Sequence, residues 1–237
     1  MPGLGTIVNV AAILLGGLAG MLGGKLIPDR YQKTLLSAMG VSVLFVGVSG
    51  ALSQMLRAEG GALTVQGTMM MILSLAVGAV LGELLDLEDR MERFGAWLKV
   101  KTKSESDGGF IGAFVTASLT VCIGAMAIVG SIQDGILGDH ATLFAKAVLD
   151  LVIIMVMTAS MGKGCIFSAI PVGILQGSVT LLARLLQPVF TDAALSNLSL
   201  VGSVLVFCVG LNLVWGKKIR VANLLPSLLI AVIWAFL

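Results

Sequence analysis

An acidic and a basic side chain one helical turn apart are the residues of this sequence best suited to do chemistry. Asp150 lies inside an otherwise apolar stretch, and Lys146 precedes it by four residues, a spacing at which helical side chains can pair. A charge at mid-bilayer costs about 2.5 to 3.5 kcal/mol on insertion scales, so such residues usually face a cavity or a partner. The pair therefore predicts either a transport pathway, in which Asp150 carries a coupling proton, or a structural ion pair.

Other polar side chains also interrupt the apolar sequence. Gln176 lies in the sixth apolar stretch of the chain, residues 165–187, five residues after Pro171. Because proline removes a backbone N–H, this stretch could be a broken helix that lines a polar cavity, or only a kinked one. The residues expected to line a substrate or ion pathway are Lys146, Asp150, Gln176, Asp134 and Asn9.

Patterns for catalysis or for a bound metal are weak in this sequence. His140 is the single histidine, so the sequence has no His-x-x-x-His metal pair and no Ser/His dyad. The Gly162-Lys163-Gly164 turn has Met157 where a phosphate-binding loop needs its first glycine, so it indicates a tight hairpin. We expect no enzymatic activity, no metal and no cofactor.

The composition requires lipid as the solvent. Hydrophobic residues make up 57% and charged residues 12% of the 237 residues, against about 25% charged residues in soluble proteins. The charges fall in short clusters between apolar runs, which argues against nucleic-acid binding. Eight apolar runs, each near the roughly 20 residues of a membrane span, predict an all-α integral membrane protein with eight transmembrane helices. The runs are 5–27, 35–56, 63–85, 110–132, 141–161, 165–187, 196–215 and 221–237.

The basic residues predict the orientation of the eight helices. If successive loops alternate sides, twelve of the fifteen Lys and Arg residues fall on one side and three on the other. Short loops rich in Lys and Arg are cytoplasmic, so both termini are expected outside the cytoplasm. The polar stretch 86–109 is expected on the cytoplasmic side, as an amphipathic interfacial helix followed by a linker.

A weak internal repeat relates the two ends of the chain. Gly17 matches Gly177 at an offset of 160 (177 − 17), and Gly47 matches Gly210 at an offset of 163 (210 − 47). The match pairs helices 1–3, residues 5–85, with helices 6–8, residues 165–237, in opposite orientations, around central helices in 110–161. Inverted repeats are typical of secondary transporters, although chance similarity of glycine-rich sequence explains the match as well. The whole chain, 1–237, is expected to be one transmembrane domain.

Three stripes of small residues predict close helix contacts. They comprise Gly16, Gly20 and Gly24; Gly78 and Gly82; and Gly173 and Gly177. Small residues at four-residue spacing let helix backbones approach within a membrane. These faces are expected either to pack inside the chain or to form a homodimer.

Several segments resemble a known family over nearly the whole chain. They are Gly5-Thr-Ile-Val-Asn9, Leu81-Gly-Glu83-Leu-Leu, Cys122 to Gly135, and Lys146 with Asp150. They are similar to bacterial inner-membrane proteins of the family named domain of unknown function 554. The resemblance implies placement in the bacterial inner membrane and no particular substrate. The resulting hypothesis is a small-solute or ion transporter, and its alternative is a non-transporting membrane scaffold or regulatory protein that acts through helix contacts.

Overall fold

The protein is built almost entirely of helices. The computed structural model describes residues 2–24, 28–59, 62–104, 107–123, 125–186, 188–189 and 191–237, with residues 29, 32, 59, 125, 184 and 186 described by their backbone alone. The elements are α1 (Leu4–Gly24), α2 (Asp29–Met55), β1 (Leu56–Glu59), β2 (Ala62–Val65), α3 (Thr68–Leu85), α4 (Leu87–Lys101), α5 (Phe110–Cys122), α6 (Ala125–Leu137), α7 (Ala141–Met161), the 3₁₀ helix η1 (Lys163–Ser168), α8 (Ala169–Leu181), α9 (Ala183–Leu186), α10 (Asp192–Trp215), the 3₁₀ helix η2 (Val221–Leu224) and α11 (Pro226–Trp234).

Six of the described helical segments are long and apolar enough to cross a membrane. They are Leu4–Gly24, Lys33–Met55, Thr68–Leu85, Ala141–Met161, Lys163–Leu181 and Asp192–Trp215. A seventh is obtained if α5 and α6, which meet at an angle of 60°, count as one span. The chain is therefore a multi-pass membrane protein with fewer full-length spans than the eight expected.

The shortfall lies in the last apolar run. Residues 221–237 were expected to form a full transmembrane helix, but Val221–Trp234 is a shorter apolar helix. Its first turn is the 3₁₀ helix η2, and α11 itself has nine residues, beginning at Pro226. The hydropathy of the sequence identified an apolar segment here, but it could not show how little of that segment is regular α-helix.

The fourth apolar run is broken near its middle. The α5 helix ends at Cys122, and Ile123 already has an extended backbone, with φ −80° and ψ 117°. The α6 helix then continues from Ala125 to Leu137. Gly124, which separates the two, lies outside the described residues. A break inside the membrane was expected instead in the sixth run, at Pro171.

The sixth run forms η1 and α8, and α8 begins at the residue that follows the last residue of η1. Pro171 lies in the first turn of α8, where a missing N–H costs no helical hydrogen bond. The expected break at this proline is therefore absent: Lys163–Leu181 forms one candidate span, which changes from 3₁₀ to α-helix at Ala169. The tight turn expected before this run is confirmed by Gly162, whose φ of +97° favours glycine.

Glycine stripes bring several helix pairs into backbone contact. A β-carbon on Gly16 would lie 2.3 Å from the carbonyl oxygen of Leu151, and one on Gly20 would lie 2.1 Å from that of Met155. The stripe of α1 thus packs on α7 within the same chain. In the same way, a β-carbon on Gly82 of α3 would lie 1.7 Å from the carbonyl oxygen of Asn223 in η2. By contrast, Gly177 of α8 has open space beside it.

The α4 helix is fastened to the loop after α10. Glu88 is 3% exposed; its carboxylate accepts a hydrogen bond of 2.9 Å from the Ala222 N–H and pairs with Lys217 at 2.9 Å. Burial lowers the pKa of Lys217, but hydrogen bonds to Glu88 and Glu92 outweigh it and raise that pKa above its ordinary value. The expected amphipathic helix is therefore present, and charged contacts hold it against the loop after α10. We call the end of the helix bundle at which α4 lies the α4 end.

The opposite end carries a β-hairpin, whose second strand includes residues that were expected to begin the third helix. Strands β1 and β2 form an antiparallel hairpin in which Leu56 pairs with Val65. The short helix α9 lies at the same end, between α8 and α10. Lys25, one of the twelve basic residues expected on the cytoplasmic side, lies outside the described residues.

Candidate functional site

The two charged residues of α7 form a buried ion pair. The Lys146 ammonium lies 2.6 Å from Oδ2 of Asp150, and the two side chains are only 9% and 5% exposed. The Asn9 side-chain amide of α1 donates a second hydrogen bond, of 3.0 Å, to the same oxygen. Close packing of α1 on α7 at the glycine stripe is what brings Asn9 within reach of the carboxylate.

The ion pair is also attached to the break between α5 and α6. Lys146 donates a hydrogen bond of 2.8 Å to the carbonyl of Val121. Carbonyls in the last turn of a helix lack an intrahelical partner, and the C-terminal end of a helix carries partial negative charge. The ammonium thus satisfies a backbone acceptor that the break leaves free, while its positive charge lies at the favourable end of α5.

A cavity of about 270 Å³ reaches this pair. Its walls come from α2, α7, α10 and both sides of the break. Lys146 and Asp150 supply its charged groups, and Ser199 and Ser203 supply hydroxyls. The remaining lining residues are Val46, Gly50, Ile123, Met126, Ala127, Leu149, Ile153, Gly202 and Val206. The cavity is therefore mainly apolar, with one charged wall.

A second, larger crevice of about 420 Å³ enters the same group of helices from the α4 end. Its mouth has charged residues, among them Glu88 and Lys217, and its walls extend to Leu119 on α5 and Val209 on α10. The first cavity begins at Ile123, just beyond α5, and at Val206 on α10. About one helical turn of apolar side chains therefore separates the charged crevice from the cavity that contains the ion pair.

Asp134, also expected in the pathway, has a different position and a structural role. Its carboxylate accepts hydrogen bonds of 3.0 Å from the Gly3 N–H and 3.1 Å from the Gly5 N–H, and it is fully buried. Nδ1 of His140 lies 2.9 Å from the same carboxylate. The sequence had suggested an isolated histidine, but His140 has Asp134 as its partner. Asp134 thus caps the first turn of α1, where N–H groups lack helical partners.

Gln176 is fully buried on α8 but does not line the cavity. Neither atom of its amide has a hydrogen-bond partner within the part of the chain that the structure describes. The Oδ1 atom of Asn9 is likewise without one among those residues. The two residues lie at similar depth, because Gly173, three residues before Gln176, faces Val10 on α1.

Of the five expected residues, the structure brings together Lys146, Asp150 and Asn9. The Val121 carbonyl and the serines of α10 belong to the same site and were missed. The signal for Val121 was present in the Cys122-Ile123-Gly124-Ala125 segment, where a glycine interrupts an apolar run beside a β-branched residue. No comparable signal marks Ser199 and Ser203, because serines are common in membrane helices.

Nothing in the described part of the chain gathers metal ligands. Groups of three or more His, Cys, Asp or Glu side chains able to hold a metal ion do not occur among those residues. The chemistry available at the site is therefore that of a buried ammonium, a carboxylate, an amide and a free backbone carbonyl.

Comparison with known proteins gives consistent matches over the full length. The model of a family described as protein of unknown function (DUF554) matches residues 4–236. The chain is 31% identical over 226 residues to the uncharacterized membrane protein YdfK of Bacillus subtilis (strain 168), covering 95% of this chain and 93% of that protein. It is 28% identical over 232 residues to the uncharacterized protein YqgA of Escherichia coli (strain K12), covering 96% and 94%. No solved structure matches it.

Proposed function

The chain belongs to the DUF554 family, and for this multi-pass membrane protein we propose transport of a small solute or ion across the bacterial inner membrane. The observation that carries the proposal is the cavity of about 270 Å³ that reaches the buried pair of Lys146 and Asp150 beside a broken helix. In this proposal the pair and Asn9 belong to the transport pathway. The chain performs no enzymatic step and needs no cofactor.

The cost of burying charge supports this assignment. Ionisable groups within the membrane are expensive, and they are found mostly where they face a water-filled cavity, a substrate path or a partner. A purely structural pair would be equally well replaced by apolar residues. Here, instead, the pair forms one wall of a cavity, and its ammonium occupies the free end of a half-helix. Discontinuous helices of this kind form the binding sites of many secondary transporters.

The orientation in the membrane is part of the proposal. We place the α4 end in the cytoplasm, since α4 and the loop after α10 carry seven of the fifteen Lys and Arg residues, whereas the β-hairpin and α9 at the other end carry only Arg57 and Arg184. If the bent α5–α6 pair counts as one crossing and the short segment Val221–Trp234 as another, the chain crosses the membrane eight times. Both termini then lie outside the cytoplasm. The charged crevice would open to the cytoplasm, and about one turn of apolar side chains would separate it from the ion pair.

The contact between α2 and α10 supports an inverted repeat. Gly47 and Gly210, which match at an offset of 163, face each other's helices in a reciprocal way. A β-carbon on Gly47 would lie 2.6 Å from the backbone nitrogen of Phe207, and one on Gly210 would lie 2.7 Å from that of Leu44. Leu44 and Phe207 are related by the same offset (207 − 44 = 163). In the proposed transporter, the cavity lies at this contact between the two halves, where alternating access needs it.

The alternative is a scaffold that acts through helix contacts with partner proteins. Most of the glycine stripes that could form such contacts are already covered within the chain. Those of α1 and α3 are covered by α7 and η2 of the same chain. Among the glycines of the three stripes, all of them in the described part of the chain, Gly177 on α8 is the one with open space beside it, so the expected homodimer stays a prediction that concerns that face.

Chemical labelling of a cysteine in the cavity distinguishes the two functions without knowledge of the substrate. Ser203→Cys is introduced into a protein whose three cysteines, Cys122, Cys165 and Cys208, have been replaced. Because thiols react with charged methanethiosulfonate reagents only where water reaches them, a transport pathway predicts labelling of this cysteine in sealed membranes from at least one side.

The matched control is Val48→Cys, on the outward-facing surface of α2 two residues from Gly50 of the cavity wall. This thiol should remain unlabelled because lipid surrounds it. Equal and negligible labelling of both positions would mean a dry cavity and would favour the scaffold.

A further inference from the structure

Each member of the ion pair has one further hydrogen-bond partner, and the two further partners differ in kind. Lys146 has a second acceptor, the Val121 carbonyl at 2.8 Å, at the negative end of the α5 dipole. Its positive charge is therefore supported whether or not Asp150 is ionised. Asp150 has only hydrogen-bond donors around the oxygen that it presents, the Lys146 ammonium and the Asn9 amide.

No second carboxylate lines the cavity beside Asp150 within the described part of the chain. The Cys122 thiol on α5 is the one further titratable side chain that interacts with both members of the pair among the described residues. The cavity residues of α2, α6 and α10 contribute no ionisable group. Of the groups in the cavity, Asp150 is thus the one suited to change its charge.

The cavity is complementary to an anion once Asp150 is protonated. The ammonium of Lys146 then has no counter-charge. On the same wall, Met126 and Ala127 belong to the first turn of α6, and helix N-termini carry partial positive charge. The remaining walls are mainly apolar. A small organic anion with an apolar body matches this combination of a positively charged patch and apolar cavity walls.

We propose that the substrate is a small organic anion, and that it moves together with one proton carried on Asp150. The inference rests on the proposed transport function. In the empty protein, the ammonium and the carboxylate sum to zero charge. In the loaded protein, the carboxylate has become a neutral acid by taking one proton, and the substrate anion pairs with the ammonium, so the sum is again zero.

This charge balance couples the two ligands. A protein that holds only the proton or only the anion has one uncompensated charge in a low-dielectric site, which is costly. Such half-loaded states are disfavoured during reorientation across the membrane. Movement is therefore restricted to the empty and the doubly loaded states, and the transport cycle moves no net charge.

Three probes that share an isobutyl group separate the possible substrate charges: the 2-oxo acid of leucine (anion), leucine (zwitterion) and isoamylamine (cation). Binding to the purified full-length protein is measured by thermal stabilisation, since a ligand of the folded state raises its unfolding temperature. The anion alone should stabilise the protein. Its apparent Kd should tighten by up to about tenfold for each unit that the pH falls, because one proton binds with it.

Variants of the pair provide the decisive comparison. Asp150→Asn resembles the protonated acid, so it should bind the anion with an affinity that changes less than about twofold with pH. Lys146→Gln should lose anion binding, and Lys146→Arg, which keeps the charge, should retain it. In vesicles containing a pH-sensitive dye, a gradient of the anion should carry protons inward without a change in membrane potential.

Stabilisation by the zwitterion or the cation, or by none of the three probes, would overturn the anion inference. Anion binding that keeps its pH dependence in Asp150→Asn would overturn the role of that residue. Neither result would contradict transport, which is judged independently by the labelling of Ser203→Cys. If that cysteine is inaccessible to water, the proposed function fails, and the inference fails with it.

Discussion

The side-chain amide of Asn9 donates a hydrogen bond of 3.0 Å to Oδ2 of Asp150, joining the first helix of the chain to the seventh. The bond is fully buried, and its acceptor is half of an ion pair. A hydrogen bond to a charged group contributes about 1.5–3 kcal/mol, against about 0.5–1.5 kcal/mol for a neutral one.

Replacing Asn9 should therefore destabilise the fold more than replacing an amide that bonds to a neutral acceptor. Asn9→Leu should lower the free energy of unfolding by about 1.5–3 kcal/mol. The matched change is Asn197→Leu, since Asn197 donates to the Ala231 carbonyl at 3.2 Å. Denaturant unfolding in detergent compares the two, and equal losses would mean that the Asn9 bond has no special weight.

The two members of the ion pair should respond unequally to removal. Lys146→Met leaves a carboxylate buried without its cation and should cost about 3–5 kcal/mol. Asp150→Asn should cost less, because Lys146 keeps the Val121 carbonyl. Protonation removes the lone carboxylate charge, so Lys146→Met should regain stability as the pH is lowered and lose it as the pH is raised.

The double variant Lys146→Met/Asp150→Asn serves as the control for that experiment. It has no charge at positions 146 and 150, so it should be more stable than Lys146→Met and should show no comparable pH dependence. A double variant as unstable as Lys146→Met, at every pH, would contradict the charge argument and indicate that packing alone was lost.

The carboxylate of Asp134 should determine whether the first turn of α1 is ordered. Asp134→Ala removes acceptors from the Gly3 and Gly5 N–H groups and should cost about 1–2 kcal/mol, as loss of a helix cap does. Hydrogen exchange of the first-turn amides should accelerate. Asp139→Ala, which removes an exposed bond to the Ala141 N–H, should leave α1 unaffected; unchanged exchange in Asp134→Ala would refute the capping role.

Two glycines on α1 should differ sharply in their tolerance of a methyl group. A β-carbon on Gly20 would overlap the Met155 carbonyl at 2.1 Å, whereas one on Gly23 would meet nothing within 4 Å. Gly20→Ala should therefore destabilise the protein by about 1–3 kcal/mol through overpacking. Gly23→Ala should be neutral or stabilising by up to about 1 kcal/mol, because alanine favours helix. Thermal unfolding of the two variants is the measurement, and comparable shifts would show that α1 is not close-packed on α7.

The membrane class, the family and the core of the site could be predicted because each rests on a local signal. Hydropathy identifies apolar helices, and a charged pair at helical spacing stands out among Leu, Val and Ile residues. The partner of Lys146 at the end of α5 could not be predicted, because it is a backbone carbonyl and carries no residue identity. Asp134 was assigned to the pathway because a buried carboxylate that caps a distant helix has the same sequence signature as one in a pore.

The placement of the helix break shows a similar limit. Proline is the strongest sequence signal for interruption, yet Pro171 begins a helix, where its missing N–H is harmless. The interruption occurs beyond Cys122, where Ile123 leaves the helical conformation. Only the three-dimensional arrangement shows that an ammonium from another helix is available to satisfy the exposed carbonyl.

The glycine contact between α1 and α7 restricts the axial register of these helices. Gly16 and Gly20 meet the carbonyls of Leu151 and Met155, so both rows repeat every four residues along parallel helices. The residue that precedes Gly16 in its row is Ala12, and a shift of α1 by one turn toward the α4 end, about 5.4 Å, would press its methyl group on the Leu151 carbonyl, where a β-carbon has no room. The position of the first alanine in the glycine row therefore sets the height of Asn9, and with it the length of the bond that ends on the carboxylate whose charge the proposed cycle changes.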